Sequence, residues 1–374
     1  MMRAKTTSGV KWRSRYTVIS LCFAATFICY IDRVNISVAI LPMADDLGWD
    51  TATQGAVLSS FYIGYLLMQI IGGRLADRYG GKLVLGLGVV VWSLFTIITP
   101  FAAAAGFAAL IISRIGMGLG EAVTFPSVYS LVTRWFPNEE KSKAVALNAS
   151  GIPIGTVFAL LVTPIIVLEL GRQWAFYLFG AVGLLWYVVW LRYVSDAPAA
   201  HPFITDEEKN FLQENAQTVA VQTKAPRLRD LLSNKPLWAI IVAHFCSNWT
   251  LYVLLSWLPK FVSEGLGVPF AAIGIVAMLP HVTSFICMNL AGSISDRLIR
   301  SGMDVTRVRK LMQTISFGGL ALCLIMVPLV ETVWAAIGLL CLGQLFLSAN
   351  VGGFVVNHMD IGPKHAGTLM GITN

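Results

Sequence analysis

The fold class this chain predicts is an all-α membrane protein, with two six-helix halves around a central cavity. Three observations predict it. The composition is too apolar for a water-soluble domain, apolar stretches of hydrocarbon length recur along the chain, and one short glycine- and charge-rich motif occurs twice, six such stretches apart.

Of the 374 residues, 56% are apolar and only 13% are charged. A soluble domain carries about 25% charged residues, so half that share points to a polytopic membrane protein. The six cysteines (Cys22, Cys29, Cys246, Cys287, Cys323, Cys341) all fall in apolar stretches without ligand-like spacing. They read as small core hydrophobes, with neither a disulfide framework nor a metal or other cofactor site expected. The basic start leads into an apolar run too long for a signal-peptide core and without a small-residue cleavage site, so it reads as an uncleaved first span.

A span needs about 20 apolar residues. Ten segments qualify, approximately 16–42, 53–73, 83–105, 107–133, 144–168, 174–194, 237–262, 270–294, 311–330 and 333–357, and an eleventh begins near 363. The one long polar stretch, 195–235, carries Pro198, Pro202 and Pro226. It separates an N-terminal six-helix half (1–194) from a C-terminal half (236–374), and its segment ITDEEKNFLQEN suits a short surface helix. The second half is expected to be incomplete, ending inside its fifth span.

Lysine and arginine positions orient the spans. With the N-terminus in the cytoplasm, 23 of the 27 basic residues fall on the cytoplasmic side. The other side holds only Arg172 and Lys260, while Arg33 and Arg114 lie within spans. The net charge of +7 therefore belongs to membrane topology, and nucleic acid is not an expected partner. The expected setting is a bacterial inner membrane or a plasma membrane.

The segment Gly72-Gly73-Arg74-Leu75-Ala76-Asp77-Arg78 after span 2 recurs as Ala291-Gly292-Ser293-Ile294-Ser295-Asp296-Arg297 after span 8. Two six-span halves related by an axis along the membrane normal are the architecture of major facilitator transporters. Gly73, Asp77, Arg78, Asp296 and Arg297 are candidates for a cytoplasmic latch that breaks when the halves rock. The plainer alternative is a loop that only sets topology.

Four charges sit where lipid would exclude them: Asp32 and Arg33 in the first span, Arg114 and Glu121 in the fourth. Each costs about 2.5–3.5 kcal/mol at a helix centre, and such groups mark a solute or proton path. Arg33 lies about 27 Å beyond Arg15 along a helix, in the outer half of the bilayer. Neighbours on a helix point about 100° apart, so Arg33 can face the cavity while Asp32 faces another helix. A guanidinium fork matches a carboxylate or phosphate, which makes Arg33 a candidate anion clamp. Arg114 and Glu121 stand two turns apart on one face, with Gly116, Gly118 and Gly120 thinning the helix between them. Burial disfavours ionised Glu121 while a nearby arginine favours it, a workable proton-coupling device; a static Arg114–Glu121 pair is the alternative. Tyr30, Tyr65, Tyr129, Gln69, Asn248, Asn350 and Asn357 are weaker candidates for cavity lining. Hydrolytic constellations and a phosphate-binding glycine loop are absent from the sequence, so an enzyme or ATP-driven pump is not expected.

The segments ICYIDRVNISVAILPM, GWDTATQGAVLSSFYIGYLLMQIIGG, GLGEAVTFPSVYSLVTRWFPNEEKSKA, VAHFCSNWTLYVLLSWLP and VNHMDIGPKHAGTLMGITN resemble the anion:cation symporter family of the major facilitator superfamily. That family includes sialin, vesicular glutamate carriers, plant plastid anion and phosphate transporters and bacterial sugar-acid symporters. The resemblance implies that Arg33 and Tyr65 contact the anion with Tyr30 nearby. It implies that Asp32 and Glu121 are protonation or coupling carboxylates, and that Arg114 matches a helix-4 arginine of the glutamate carriers. Ser247 stands where those carriers have an arginine, and Tyr129 where sialin-like members have a histidine. The expectation is a monomeric symporter of a small organic anion with protons. Sodium-coupled phosphate transport and a non-transporting sensor are the alternatives.

Overall fold

The computed structural model describes residues 13–216, 235–355, 357 and 373. Among the described residues there are helices and no strands, and nine helical stretches are long and apolar enough to cross a membrane. One further helix, α2, has 29 residues but more polar ones. The ten expected spans therefore have ten helical counterparts in place; the start of the eleventh lies outside the described residues.

The first span is α1 (Ser14–Leu47), closed by Gly48 at φ 65, a left-handed cap that glycine adopts without strain. Asp50 then caps α2 (Thr51–Tyr79) by accepting from the Thr53 amide at 2.8 Å. Hydrogen bonds from Thr53 hold the exposed Asp50 carboxyl below its ordinary range. Next come α3 (Gly81–Ala105), α4 (Phe107–Glu121), α5 (Thr124–Trp135), α6 (Asn138–Ala149), α7 (Gly151–Glu169) and α8 (Arg172–Tyr193). A short α9 (Asp206–Ala216) lies in the polar stretch. The later spans are α10 (Lys235–Lys260), α11 (Phe270–Arg300), α12 (Val305–Met326) and α13 (Val333–Ser348).

The fourth span is not one helix. α4 ends at Glu121 and α5 begins at Thr124, with turn backbone at Ala122 and Val123. Pro126 explains the break: its ring faces the carbonyl four residues back, that of Ala122, and it lacks the amide that would bond there. The chain thus loosens beside its buried glutamate. The tenth helix has a comparable irregularity. After Pro259 it runs into a wide turn over Phe261–Gly265, where the Leu266 amide reaches the Phe261 carbonyl at 3.0 Å.

Helices α1–α8 pack closely on one another, α4 lying against both α2 and α3, and α11–α13 with α10 beside α11 form a second group. The glycines of α4 make its contacts possible. A Cβ on Gly118 would collide with the Phe61 carbonyl, and one on Gly120 with the Trp92 amide. The two groups meet through α7 with α11 and α1 with α10. At the lysine-poor end this junction is tight. A Cβ on Gly274 would strike the Leu160 carbonyl, Trp257 lies against Gly55, and Lys260 donates to the Gln54 amide oxygen at 2.7 Å.

At the basic end, Arg15 is fully buried and pairs with Glu140 (2.9 Å) and Glu208 (3.4 Å), fastening α9 beneath α1. The start of α3 is held by Asp196, whose carboxylate accepts from the Lys82 amide at 2.7 Å. The two copies of the repeated motif end α2 and α11 at this same face. Arg78 and Arg297 are exposed and Gly73 is half-buried near Pro126. The Asp77 and Asp296 side chains, the centre of the expected latch, lie outside the described residues.

Candidate functional site

The four intramembrane charges converge on one buried cluster between α1, α2 and α4. Glu121 is fully buried, and one of its oxygens, Oε2, accepts from Arg33 Nη2 at 2.8 Å and Arg33 Nε at 3.0 Å. The Cys29 thiol donates to that same oxygen at 3.1 Å. Cys29 and Arg33 stand one helical turn apart on α1, so a single face of that helix presents both donors. The other oxygen, Oε1, is buried without a hydrogen bond.

Aromatic rings wrap the guanidinium of Arg33. Its central carbon lies 4.8 Å from the ring centre of Tyr30, 4.8 Å from that of Phe61 and 4.9 Å from that of Tyr65. Ring faces attract a cation, more strongly when it is desolvated, and here they seal it. Arg33 is 4% exposed. The expectation that Arg33 faces open cavity is therefore corrected for this conformation, because Glu121 and the three rings fill the space around it. One nitrogen, Nη1, is buried without a partner.

The static pair weighed for α4 is also corrected. Glu121 pairs with Arg33 across helices, and Arg114 sits over Phe61 at 5.4 Å with Nη1 directed at the Met117 sulfur at 2.9 Å. Two turns along one helix separate residues by about 10.5 Å, beyond direct reach of those side chains, whereas Arg33 approaches from the side. Asp32 points away from Arg33, as the helical angle requires. It is 1% exposed, and neither oxygen makes a hydrogen bond, although the Trp92 indole lies close by. Written as ions, the four groups sum to zero charge, which is what makes their joint burial tolerable.

Sequence reading did not single out the residues that connect this cluster to the second helix group. Tyr252 on α10 lies against Arg33 and Tyr65, and its ring packs on Tyr62 at 4.7 Å. Tyr252 falls one turn after the candidate Asn248, which is half-buried on α10; that spacing was the available signal. In the second group the fully buried polar side chains are neutral ones and histidines, while the half-buried Arg309 donates to Ser295 Oγ at 3.0 Å and to the Gly352 carbonyl at 3.2 Å. Asn350 donates to Ser247 Oγ at 3.1 Å, and the His244 ring meets the Thr373 hydroxyl at 3.0 Å. Among the described residues no cluster of His, Cys, Asp and Glu suits a metal ion. A cavity of about 520 Å³ opens at the basic end between α10 and α12, lined by Ile240, Thr306, Arg309 and Phe354 among others. None of the four intramembrane charges lines it.

Comparison with known proteins fits this picture of a transmembrane helix bundle. Residues 22–374 match the model of the Major Facilitator Superfamily. The chain is 40% identical over 360 residues to probable anion transporter 4, chloroplastic, of Oryza sativa subsp. japonica, covering 96% of this chain and 61% of that protein. It is 39% identical to the chloroplastic ascorbate transporter of Arabidopsis thaliana, over 96% of this chain and 66% of that one. Similarity to the chloroplastic sodium-dependent phosphate transport protein 1 of the same plant is 38%, over 96% and 70%. The chain thus spans 61–70% of the length of these relatives. The fold matches a bacterial homologue of the lysosomal transporter Spinster in an inward-facing conformation, with a TM-score of 0.77 at 19% identity, over 98% of this chain and 79% of that one. The protein is therefore a multi-pass integral membrane protein. All three plant relatives carry chloroplast names, so the expected bacterial inner membrane finds no support among them.

Proposed function

Because the chain belongs to the major facilitator superfamily, in its anion:cation symporter family, we propose that it is a secondary transporter carrying a small organic anion together with protons by alternating access. The observation that carries this reading is the Arg33–Glu121 pair, buried in an aromatic box beside the junction of the two helix groups. Burying both ions is costly, and a scaffold gains nothing from this pair that apolar side chains would not supply. A transporter gains a seat. Glu121 is a carboxylate held on a guanidinium fork, the geometry that an incoming carboxylate or phosphate would adopt.

In the proposed cycle the anion and Glu121 compete for Arg33. Protonation of Glu121 removes its charge and loosens its hold, so the anion takes the fork; departure of the anion lets Glu121 release its proton and re-form the pair. Tyr30 and Tyr65 line the anion's path, Arg114 adds positive potential and Asn248 approaches from α10. Asp32, lacking a cationic partner at hydrogen-bonding distance, is the second proton carrier. The tight junction at the lysine-poor end closes one access route, and the motif around Asp77 and Asp296 latches the opposite, cytoplasmic one. Residues 1–194 and 236–374 act as the two rocking units, joined by 195–235, within a single monomer.

Sodium-coupled phosphate movement is the second reading, favoured by the name of one relative. Purified protein in sealed vesicles separates them, with ascorbate, sugar acids, sialic acid and phosphate as candidate solutes. An inward proton gradient is expected to accumulate an organic anion without sodium. Accumulation of phosphate only under a sodium gradient would replace the first reading with the second, and no flux of any solute would leave a sensor on the same frame.

A further inference from the structure

We propose that Cys29 is a positioning residue for the proton-carrying carboxyl: its thiol sets how readily Glu121 takes up a proton by donating to the oxygen that Arg33 also holds. This rests on the reading of Glu121 as the coupling carboxyl. The argument starts from the unequal surroundings of the two Glu121 oxygens. Oε2 receives three donors, two from the Arg33 fork at 2.8 and 3.0 Å and one from Cys29 at 3.1 Å, whereas Oε1 is buried and bare. Negative charge is thereby drawn to Oε2, and an arriving proton has Oε1 as its place to bind.

Cys29 is itself fully buried. Its sulfur lies 3.8 Å from Arg33 Nη2, so the thiol also bears on the edge of the fork. A donated hydrogen bond stabilises the charged carboxylate more than the neutral acid. An S–H group is a weak donor. Its loss therefore makes Glu121 easier to protonate by a modest factor, about three- to tenfold in proton affinity. The sign is fixed by the chemistry: removing the donor moves protonation to higher pH. Other charged and titratable groups facing the site stay in place. They are Asp32, Arg33 and Tyr30 on α1, Tyr65 on α2, Arg114 on α4 and Tyr252 on α10.

The test reads the carboxyl directly. The infrared C=O band of protonated Glu121, identified by its loss in Glu121→Gln, is titrated in the purified full chain in lipid for wild type, Cys29→Ala and Cys29→Ser. Cys29→Ala is expected to move the midpoint to higher pH by the factor above. Cys29→Ser, which keeps a donor of similar size, is expected to hold the midpoint at or below the wild-type value. Coincident midpoints, equal displacement in both variants, any other ordering, or a Glu121 band that does not titrate would overturn the proposal. Uptake into vesicles is followed in parallel with ascorbate and phosphate. If wild type carries neither solute while the midpoints still separate as expected, only the transport reading falls.

Discussion

The two helix groups of this molecule bury polar chemistry in opposite ways. In α1–α8 the interior holds full charges, Asp32, Arg33, Arg114 and Glu121, brought together from two helices and wrapped by rings. In α10–α13 the buried polar groups are neutral ones such as Ser247, Gln344 and Ser348, alongside the histidines His244 and His281. The position where some relatives of the resembled family carry an arginine is here Ser247. Under the proposed cycle the contrast amounts to a division of labour: one group would perform the ion chemistry, and the other, with Tyr252 as its leading side chain, would open and close against it.

Experiments can break that asymmetry. The largest effect is expected from Arg33→Ala, which removes the fork and should abolish anion uptake into vesicles while the protein still purifies as a folded species. Retained uptake would place the anion site elsewhere. Glu121→Gln should come next, allowing exchange of anion for anion but not accumulation driven by a proton gradient. An unchanged response to the gradient would remove Glu121 from the coupling.

Stability offers a third test of intermediate size. Removing only Glu121 by Glu121→Ala leaves a buried, unpaired guanidinium and should cost about 3–5 kcal/mol, whereas the double change Arg33→Met with Glu121→Leu should restore thermal stability close to wild type. Equal stability of the single and double variants would mean that water reaches Arg33. On the α10 side, Tyr252→Phe should alter the apparent affinity for anion a few-fold with little change in the maximal rate. Lys260→Ala removes the bond to Gln54 across the lysine-poor end and should modestly raise labelling of a cysteine at position 55 by a membrane-impermeant thiol reagent. Unaltered labelling would show that the junction does not depend on that bond.

Much of the architecture was legible in the sequence because lipid leaves it few options. Length and apolarity locate every described span, since backbone groups in hydrocarbon must be satisfied within helices. The intramembrane charges were legible for the same reason. Their partners were not. Register between helices leaves no mark in a single sequence, so the same-helix spacing of Arg114 and Glu121 suggested a pair, while the real partner, Arg33, lies on another helix. The break after Glu121 could have been anticipated from Pro126, which sits four residues past Ala122. Cys29 was read as a filler of the core. The role proposed for it depends on where Glu121 sits, and only the folded arrangement of α1 and α4 brings the two within 3.1 Å.

Proton uptake on anion binding tests the central claim most directly. Purified protein in weakly buffered solution is mixed with a solute it carries, and the pH change is recorded for wild type and for Glu121→Gln. If substrate and Glu121 compete for Arg33, wild type takes up protons as the anion binds, and the variant takes up measurably fewer. Equal uptake by the two proteins, with the anion bound in both, would contradict the account.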